Sequence, residues 1–570
     1  MRKNKFYILH FTFYILLILT INNCSSTTGV SKGNLTGIVN LEGMEDHSGI
    51  IIAIYELAYL DTTIVRINNE YPHIGVIINQ HTEFDHRFQS PIKYTETDAE
   101  GNFLIKKIPV GEYNIVALKD SFGFKYIYEI DIEKGDNELT RTHPLVPSLK
   151  KEGNISLQKG EHKGIPIDKG ENKGVYSPMR TDADITLYAE QSLSGDITED
   201  WVFETDHHYI IGEEGANSTN FVPGTNLEIQ PGAIIRIAPG TDLTIMGTIS
   251  AQGVENNMFW ITSNDGFALT DSSFNFQFSI FNFKFDRSEE FLQYNSMELS
   301  SYASVSDDLI EWGKFNLANI GLLNRVNSLH MQNGIFRDSQ CGFYSSAIDS
   351  AFCSNLLCKA ITNESMAGIY YNFSTNGEIE KNIILNSYIG IRIKNSSNPL
   401  VKNNYIIECN NGFAISEYSS PNIKNNEINN CSFGIYIYEY SSSTIEKNNI
   451  NSDICINLYH SNYNISHIHN CNLNYNSYSI IADLQCFEDV HAEYNYFYTI
   501  DVELIQESIF DKNDVDPSYQ QHYCEVIYEP YLFERYPYAG ILGESTCPVK
   551  FKIINKLIRK GNYFYANKKK

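Results

Sequence analysis

A 22-residue period runs through the middle of this 570-residue chain and restricts its fold more than any other feature. Gly368, Gly390, Gly412 and Gly434 recur at that step, as do Ile379, Val401, Ile423 and Ile445. Ile384, Ile406, Ile428 and Ile450 keep it too, as do Ile369, Ile391, Phe413 and Ile435, and a polar set, Asn382, Asn404, Asn426 and Asn448. When small, polar and apolar residues each hold their own ladder, every repeat is one coil laid on the last so that like residues stack. Between the ladders lie Asn, Ser and Gly with no 3.6-residue apolar pattern, which speaks against a leucine-rich repeat and for short strands joined by tight turns. The expected fold is therefore all-β, with an N-terminal β-sandwich followed by a single-stranded right-handed parallel β-helix of about 22 residues per coil over residues 195–535.

The flanks of the repeat carry a resemblance. Leu227-Glu228-Ile229-Gln230-Pro231-Gly232-Ala233-Ile234-Ile235-Arg236-Ile237-Ala238-Pro239-Gly240, with Leu243 to Ile249 and Trp260-Ile261-Thr262-Ser263, resembles the opening coils of bacterial right-handed parallel β-helix proteins. Tyr494-Asn495-Tyr496-Phe497 and Val526-Ile527-Tyr528-Glu529-Pro530-Tyr531-Leu532 are similar to the segment that closes such helices. The resemblance implies the fold and little about function, because pectin-degrading enzymes, copper-site maturation proteins and phage tailspikes share it.

At the N-terminus, Arg2, Lys3 and Lys5 precede an apolar run too short for a comfortable membrane span, the pattern of an export signal. Ile21-Asn22-Asn23-Cys24 then resembles a bacterial lipoprotein signal, which implies residues 1–24 as the signal, Cys24 as the lipidated residue, and a chain anchored by lipid to the outer membrane or cell surface. Asn23 departs from the small residue usual before such a cysteine. Over residues 32–139, short alternating runs are separated by turn signals. Thr97-Asp98-Ala99-Glu100-Gly101-Asn102-Phe103 and Ile108-Pro109-Val110-Gly111-Glu112-Tyr113, with Leu35-Thr36-Gly37-Ile38-Val39, resemble the carboxypeptidase regulatory-like domain, a transthyretin-like sandwich that is non-catalytic in its family. Residues 59–91 look like an insertion in it, residues 141–180 have the composition of a linker, and 536–570 form a C-terminal tail.

A formal charge of -26, from 69 acidic against 43 basic residues, excludes a nucleic-acid surface and favours a neutral or cationic partner. Cys409 and Cys431, with Ser387 one coil earlier, read as a small inward residue at a turn, and no cysteine or histidine spacing suggests a metal or other cofactor. Asp511, Asn513, Asp514 and Asp516 lack the glycine and terminal Glu of a calcium loop. Glu417 and Glu439, one coil apart, would suit retaining glycoside hydrolysis if both faced a cleft, and solvated turn positions if not. Arg392 and Lys394 are isolated bases without the carboxylates a lyase would need beside them. Tyr418, Tyr436, Tyr438, Tyr440 and Tyr459 cluster by the same arithmetic, and facing outward they would form an aromatic strip suited to sugar rings. The expected function is a non-catalytic envelope protein binding polysaccharide or another envelope component along the β-helix flank. The alternatives are a lyase or glycoside hydrolase with its site in the irregular region 265–331, and a structural spacer.

Overall fold

The computed structural model describes residues 31–139 and 185–541, apart from 213–217, 265–293, 347–348, 362, 374, 460–466 and 484–487. Cys24, the signal segment, the 141–180 linker, most of the tail and part of the irregular region lie outside the described residues. The chain divides into two units, residues 1–57, 89–119 and 124–187 in one, and 58–88, 120–123 and 188–570 in the other.

In the first unit, alternation builds two four-stranded sheets. Lys32–Leu41 lies between Asn102–Pro109 and Gly135–Glu138, with Ile185–Leu187 added to it, and Leu35, Val39, Phe103, Ile105 and Ile108 are buried. Ile51–Glu56 lies between Lys93–Glu96 and Gly111–Lys119, and Gly123–Ile132 follows, burying Ile52, Ile54, Ile115 and Ala117.

The second unit is a parallel β-solenoid of about 11 turns of roughly 23 residues each. A regular coil has three strands, for instance Asn376–Glu380, Ile383–Leu385 and Ile389–Ile393. Each pairs in parallel with its counterpart one coil on, Leu400–Lys402, Tyr405–Ile407 and Asn411–Ile415. The apolar ladders point inward: Ile379, Ile384, Ile391, Val401, Ile406 and Phe413 are all fully buried.

The first corner of the regular coils is made by a residue in the left-handed region, Lys381, Asn403, Asn425 and Lys447 with φ of 56°, 55°, 54° and 57°, each followed by a ladder asparagine. A corner removes backbone groups from strand pairing, and a buried amide or carbonyl left unpaired costs about 1–3 kcal/mol. The asparagines meet that need. Asn382 Nδ2 donates to Asn404 Oδ1 at 2.8 Å, Asn404 Nδ2 to Asn426 Oδ1 at 2.9 Å, and Asn426 Nδ2 to Asn448 Oδ1 at 3.0 Å. The backbone N–H groups of Asn382, Asn404 and Asn426 donate to the same oxygens, and Asn404 Nδ2 also reaches the Ile379 and Lys402 carbonyls. The ladder glycines lie at the start of the third strand, Gly390 in Ile389–Ile393 and Gly412 in Asn411–Ile415. A Cβ at Gly412 would lie 2.5 Å from the Gly434 carbonyl oxygen, so the coils can stack there only without side chains. At the second corner, between the middle and third strands, Ser387 Oγ, Cys409 Sγ and Cys431 Sγ each donate to the carbonyl two residues earlier, and both cysteines are buried free thiols.

Residues 58–88, most of the stretch that reads as an insertion in the sandwich, group with the solenoid and lie on it as a strap. The reason is an outward apolar ladder on the middle strands. Ile335, Leu357, Ile383, Leu385, Tyr405 and Ile407 face away from the solenoid core and are covered by Ile64, Ile67, Ile74, Val76 and Ile78 of the strap. The helix Thr62–Glu70 is N-capped by Asp61, whose carboxylate accepts from Thr63 N and pairs with Lys359 at 2.9 Å.

Beyond the apolar contact the strap buries charge. Arg87 clamps Asp85 through Nε and Nη2, at 3.0 and 2.8 Å, and donates to Thr262 Oγ1 at 3.0 Å. Arg337 pairs with Glu83 at 3.3 Å, and Arg236 pairs with Glu190. Arg87 and Lys314 both lie over the Trp260 ring, 5.2 and 4.4 Å from its centre, while Trp260 Nε1 donates to Asn316. Burial alone would raise the Asp85 carboxyl, but the Arg87 guanidinium outweighs it and holds the group well below the usual range. Burial pushes the His86 imidazole down to about 4, with Asp85 opposing and Arg87 and Arg236 assisting. Burial also pushes the Lys314 ammonium down to about 8.

Two expectations follow from this architecture. Asn404→Ala strands the buried Asn382 N–H and takes a donor from the Ile379 and Lys402 carbonyls, and should lower stability by about 3 kcal/mol, read as an earlier urea midpoint, whereas outward Lys424→Ala should stay within about 0.5 kcal/mol. Because the folded pKa values of His86 and Asp85 lie below their unfolded values, their contribution is complete above about pH 6.5 and lost on acidification, through His86 as pH falls toward 4 and through Asp85 lower still. Amide exchange should therefore show residues 58–88 losing protection at pH 4.5 relative to pH 7, and an unchanged pattern would refute this account of the strap.

Candidate functional site

The third strand of each regular coil ends in two consecutive residues with positive φ: Asn395 and Ser396, Glu417 and Tyr418, Glu439 and Tyr440. Such a corner turns the backbone sharply and throws both side chains outward, so its chemistry can vary without disturbing the core. Stacking then brings equivalents together. The rings of Tyr418 and Tyr440 lie parallel, 5.3 Å apart with 14° between planes, and are 60% and 39% exposed.

The adjoining strand Phe433–Tyr438 alternates, with Ile435 and Ile437 buried and Tyr436 and Tyr438 outward. Their rings stack at 4.9 Å and 19°, and Phe433 continues the row 5.5 Å from Tyr436. Tyr459 is the register partner of Tyr438 one coil on, and the surroundings of Tyr436 include Tyr438, Tyr459, Glu439 and Asp483. Burial, with these neighbours, raises the Tyr436 phenol above its ordinary value, so it is a neutral hydroxyl throughout the physiological range.

Two aromatic residues not singled out from the sequence extend this flank. Tyr344, Tyr370, Arg392, Ala414 and Tyr436 occupy one outward column, each in register with the next. Tyr344 and Tyr370 stack at 4.6 Å and 15°, and the Arg392 guanidinium lies 5.5 Å from the Tyr370 ring centre. Arg392 donates to the Ser365 carbonyl at 2.9 Å and to the Tyr438 hydroxyl at 3.3 Å. Tyr370 could have been found by stepping back three periods from Tyr436, but the next step, to Tyr344, spans 26 residues and breaks the count.

Glu417 and Glu439 occupy equivalent corners, and Lys394 Nζ engages Glu417 Oε1 at 2.7 Å while Glu439 is exposed. Asp511 is committed to backbone, accepting from Asn513 N at 2.7 Å and Val526 N at 2.9 Å, and Asp514 accepts from Asp511 N in a capping box. Of the irregular region, Lys314 and Asn316 are 5% and 2% exposed beneath Trp260 and the strap, too deeply covered to meet a polymer chain.

A family model described as the right handed beta helix region matches residues 346–497. No curated protein and no solved structure matches the chain. The matched stretch contains the asparagine ladder and Tyr370, Tyr418, Tyr436, Tyr438, Tyr440 and Tyr459 of the flank, with Tyr344 just before it, so the family match and the structure agree on a β-helix where the candidate surface lies.

Proposed function

We propose that this protein is a non-catalytic component of the bacterial cell envelope, anchored by a lipid on Cys24, that binds carbohydrate along the tyrosine flank of its β-helix. The observation that carries the reading is the exposed parallel pair Tyr418 and Tyr440 beside the stacked pair Tyr436 and Tyr438. Flat aromatic faces cover the apolar faces of pyranose rings, while the phenol hydroxyls and nearby Glu417, Glu439 and Lys394 offer hydrogen bonds to sugar hydroxyls. The N-terminal module, which resembles the carboxypeptidase regulatory-like domain, serves in this reading as a spacer between anchor and β-helix.

A glycan array probed with the full chain, each hit being assayed for cleavage, tests the proposal. Binding without cleavage is expected, and Tyr418→Ala with Tyr440→Ala should weaken it about fivefold or more, since each aromatic contact contributes about 0.5–1.5 kcal/mol. Cleavage would instead favour an enzyme with its site around residues 265–331, and no binding to any glycan would favour a structural spacer. Metabolic labelling with a fatty acid tests the anchor: label should enter the wild-type protein and be lost in Cys24→Ser, which should also leave the membrane fraction.

A further inference from the structure

We propose a binding pocket for one neutral, hexose-sized sugar ring at the closing coils of the β-helix, between residues 474–477 of the strand Asn472–Ala482 and residues 497–508 of the coil that follows. It shares no residue with the tyrosine flank and does not rest on the reading given to that flank.

The cavity follows from an interruption in the pairing of two coils. Asn472 bridges in parallel to Tyr496, and pairing returns where Ile480 meets Ile509 and Ile481 meets Phe510. The intervening chain is residues 473–479 on one coil but 497–508 on the next, and the longer segment arches outward and winds into the helix Val502–Glu507. The strand beneath is itself bulged: Ser452 pairs with Tyr475 but Ile454 with Tyr478, so Asn476 and Ser477 stand opposite Asp453 alone. Asn476 Nδ2 donates to Asp453 Oδ1 at 2.8 Å, and Ser477 is left exposed at the cavity. The space between strand and arch is about 390 Å3, within the size range of small-molecule sites.

The lining offers two kinds of surface. Tyr475, Phe497, Tyr498 and Leu504 supply aromatic and apolar walls, and Tyr498, Ile500 and Leu504 are 40%, 59% and 50% exposed, a local concentration of exposed apolar side chains of the kind that marks a contact surface. Arg535 lies over the Tyr498 ring, 5.5 Å from its centre, and is not part of the lining. Among the polar groups, Asn474 Nδ2 is committed to Asn451 Oδ1 at 2.7 Å, which leaves Asn474 Oδ1 to accept from a ligand. Thr499 Oγ1 accepts from Asp501 N at 3.1 Å and keeps its own O–H to donate. The Ser477 hydroxyl serves either way, and the exposed Glu507 carboxylate accepts from two neighbouring hydroxyls at once. Ser508 takes no part, since its Oγ donates to Ile505 O at 2.7 Å and meets Ser479 Oγ at 2.8 Å. Aromatic walls beside clustered acceptors and hydroxyls match a ring with an apolar face and several adjacent hydroxyls. A carboxylate without a lining cation disfavours phosphorylated, sulfated or uronic sugars, whose charge Glu507 would repel.

Calorimetric titration of the full chain with the methyl glycosides of glucose, galactose, mannose and N-acetylglucosamine, and with glucuronate, provides the test. At least one neutral sugar should bind saturably, one ring per chain, and glucuronate should bind about tenfold or more weakly than it. Glu507→Gln should weaken binding about tenfold by turning charge-assisted hydrogen bonds into neutral ones, and Tyr498→Ala about fivefold or more. Ser477→Trp, which fills the cavity from the exposed bulge, should abolish binding, whereas Tyr519→Ala, exposed and outside the lining, should leave it unchanged. Thermal unfolding identifies any variant that does not fold, and Glu507→Gln and Ser477→Trp, both at exposed positions, carry the test if Tyr498→Ala fails. Wild-type affinity in Glu507→Gln and Ser477→Trp, tightest binding to glucuronate, or no uptake of any of these sugars would overturn the proposal. Glycan-array binding that depends on Tyr418 and Tyr440 is read separately, so either site can fail without the other.

Discussion

Each coil of the solenoid must turn sharply while its backbone is buried, and the asparagine at the first corner makes that possible. Strand pairing satisfies the straight segments, but corner amides and carbonyls need another partner. Asn404 gives one to Asn382 N, Ile379 O and Lys402 O, and is itself bonded to Asn426. Because Asn404 and Asn426 are each anchored in their own coil and bonded to the next asparagine, the ladder also fixes register, and a one-residue slip would break several buried hydrogen bonds together. The ladder has defined ends. Leu356 N donates to Asn382 at one of them, and at the other Cys471 Sγ accepts from Asn448 N before Asn495 resumes the pattern.

A solenoid held in this way still has to cover its outward apolar residues. Ile383, Leu385, Tyr405 and Ile407 flank inward Ile384 and Ile406, and the 58–88 strap shields them from water. Its charges are buried in pairs, Asp85 with Arg87 inside the strap and against Thr262 of the solenoid, and Glu83 with Arg337 of the solenoid. Such pairs add little net stability over apolar packing, yet each is costly to break singly, so they favour one seating of the strap over others.

The tyrosine flank arises from the opposite circumstance. Corners with two successive left-handed residues expose their side chains, so Ser396, Tyr418 and Tyr440 can differ while the inward ladders cannot. Parallel stacking then turns a sequence coincidence at one step of 22 into a ring pair 5.3 Å apart. The same rule on the opposite sheet brings His467 beside His491.

The sequence by itself determined the coil, its inward ladders, the asparagine ladder and the alignment of Tyr418 with Tyr440, because all of these obey one local rule, that residues 22 apart stack. It also located the insertion within the N-terminal module. Only the tertiary structure decided where that insertion docks, since an outward Ile or Leu beside an inward one has no partner written next to it in the chain. The same holds for Tyr344 and for the pairing of His467 with His491. Coils of unequal length pair Tyr344 with Tyr370, Thr444 with His467, and His467 with His491, steps of 26, 23 and 24 residues. Once loops of different size enter the coils, counting fails, and only the hydrogen-bonded register of the folded sheets says which side chains are neighbours.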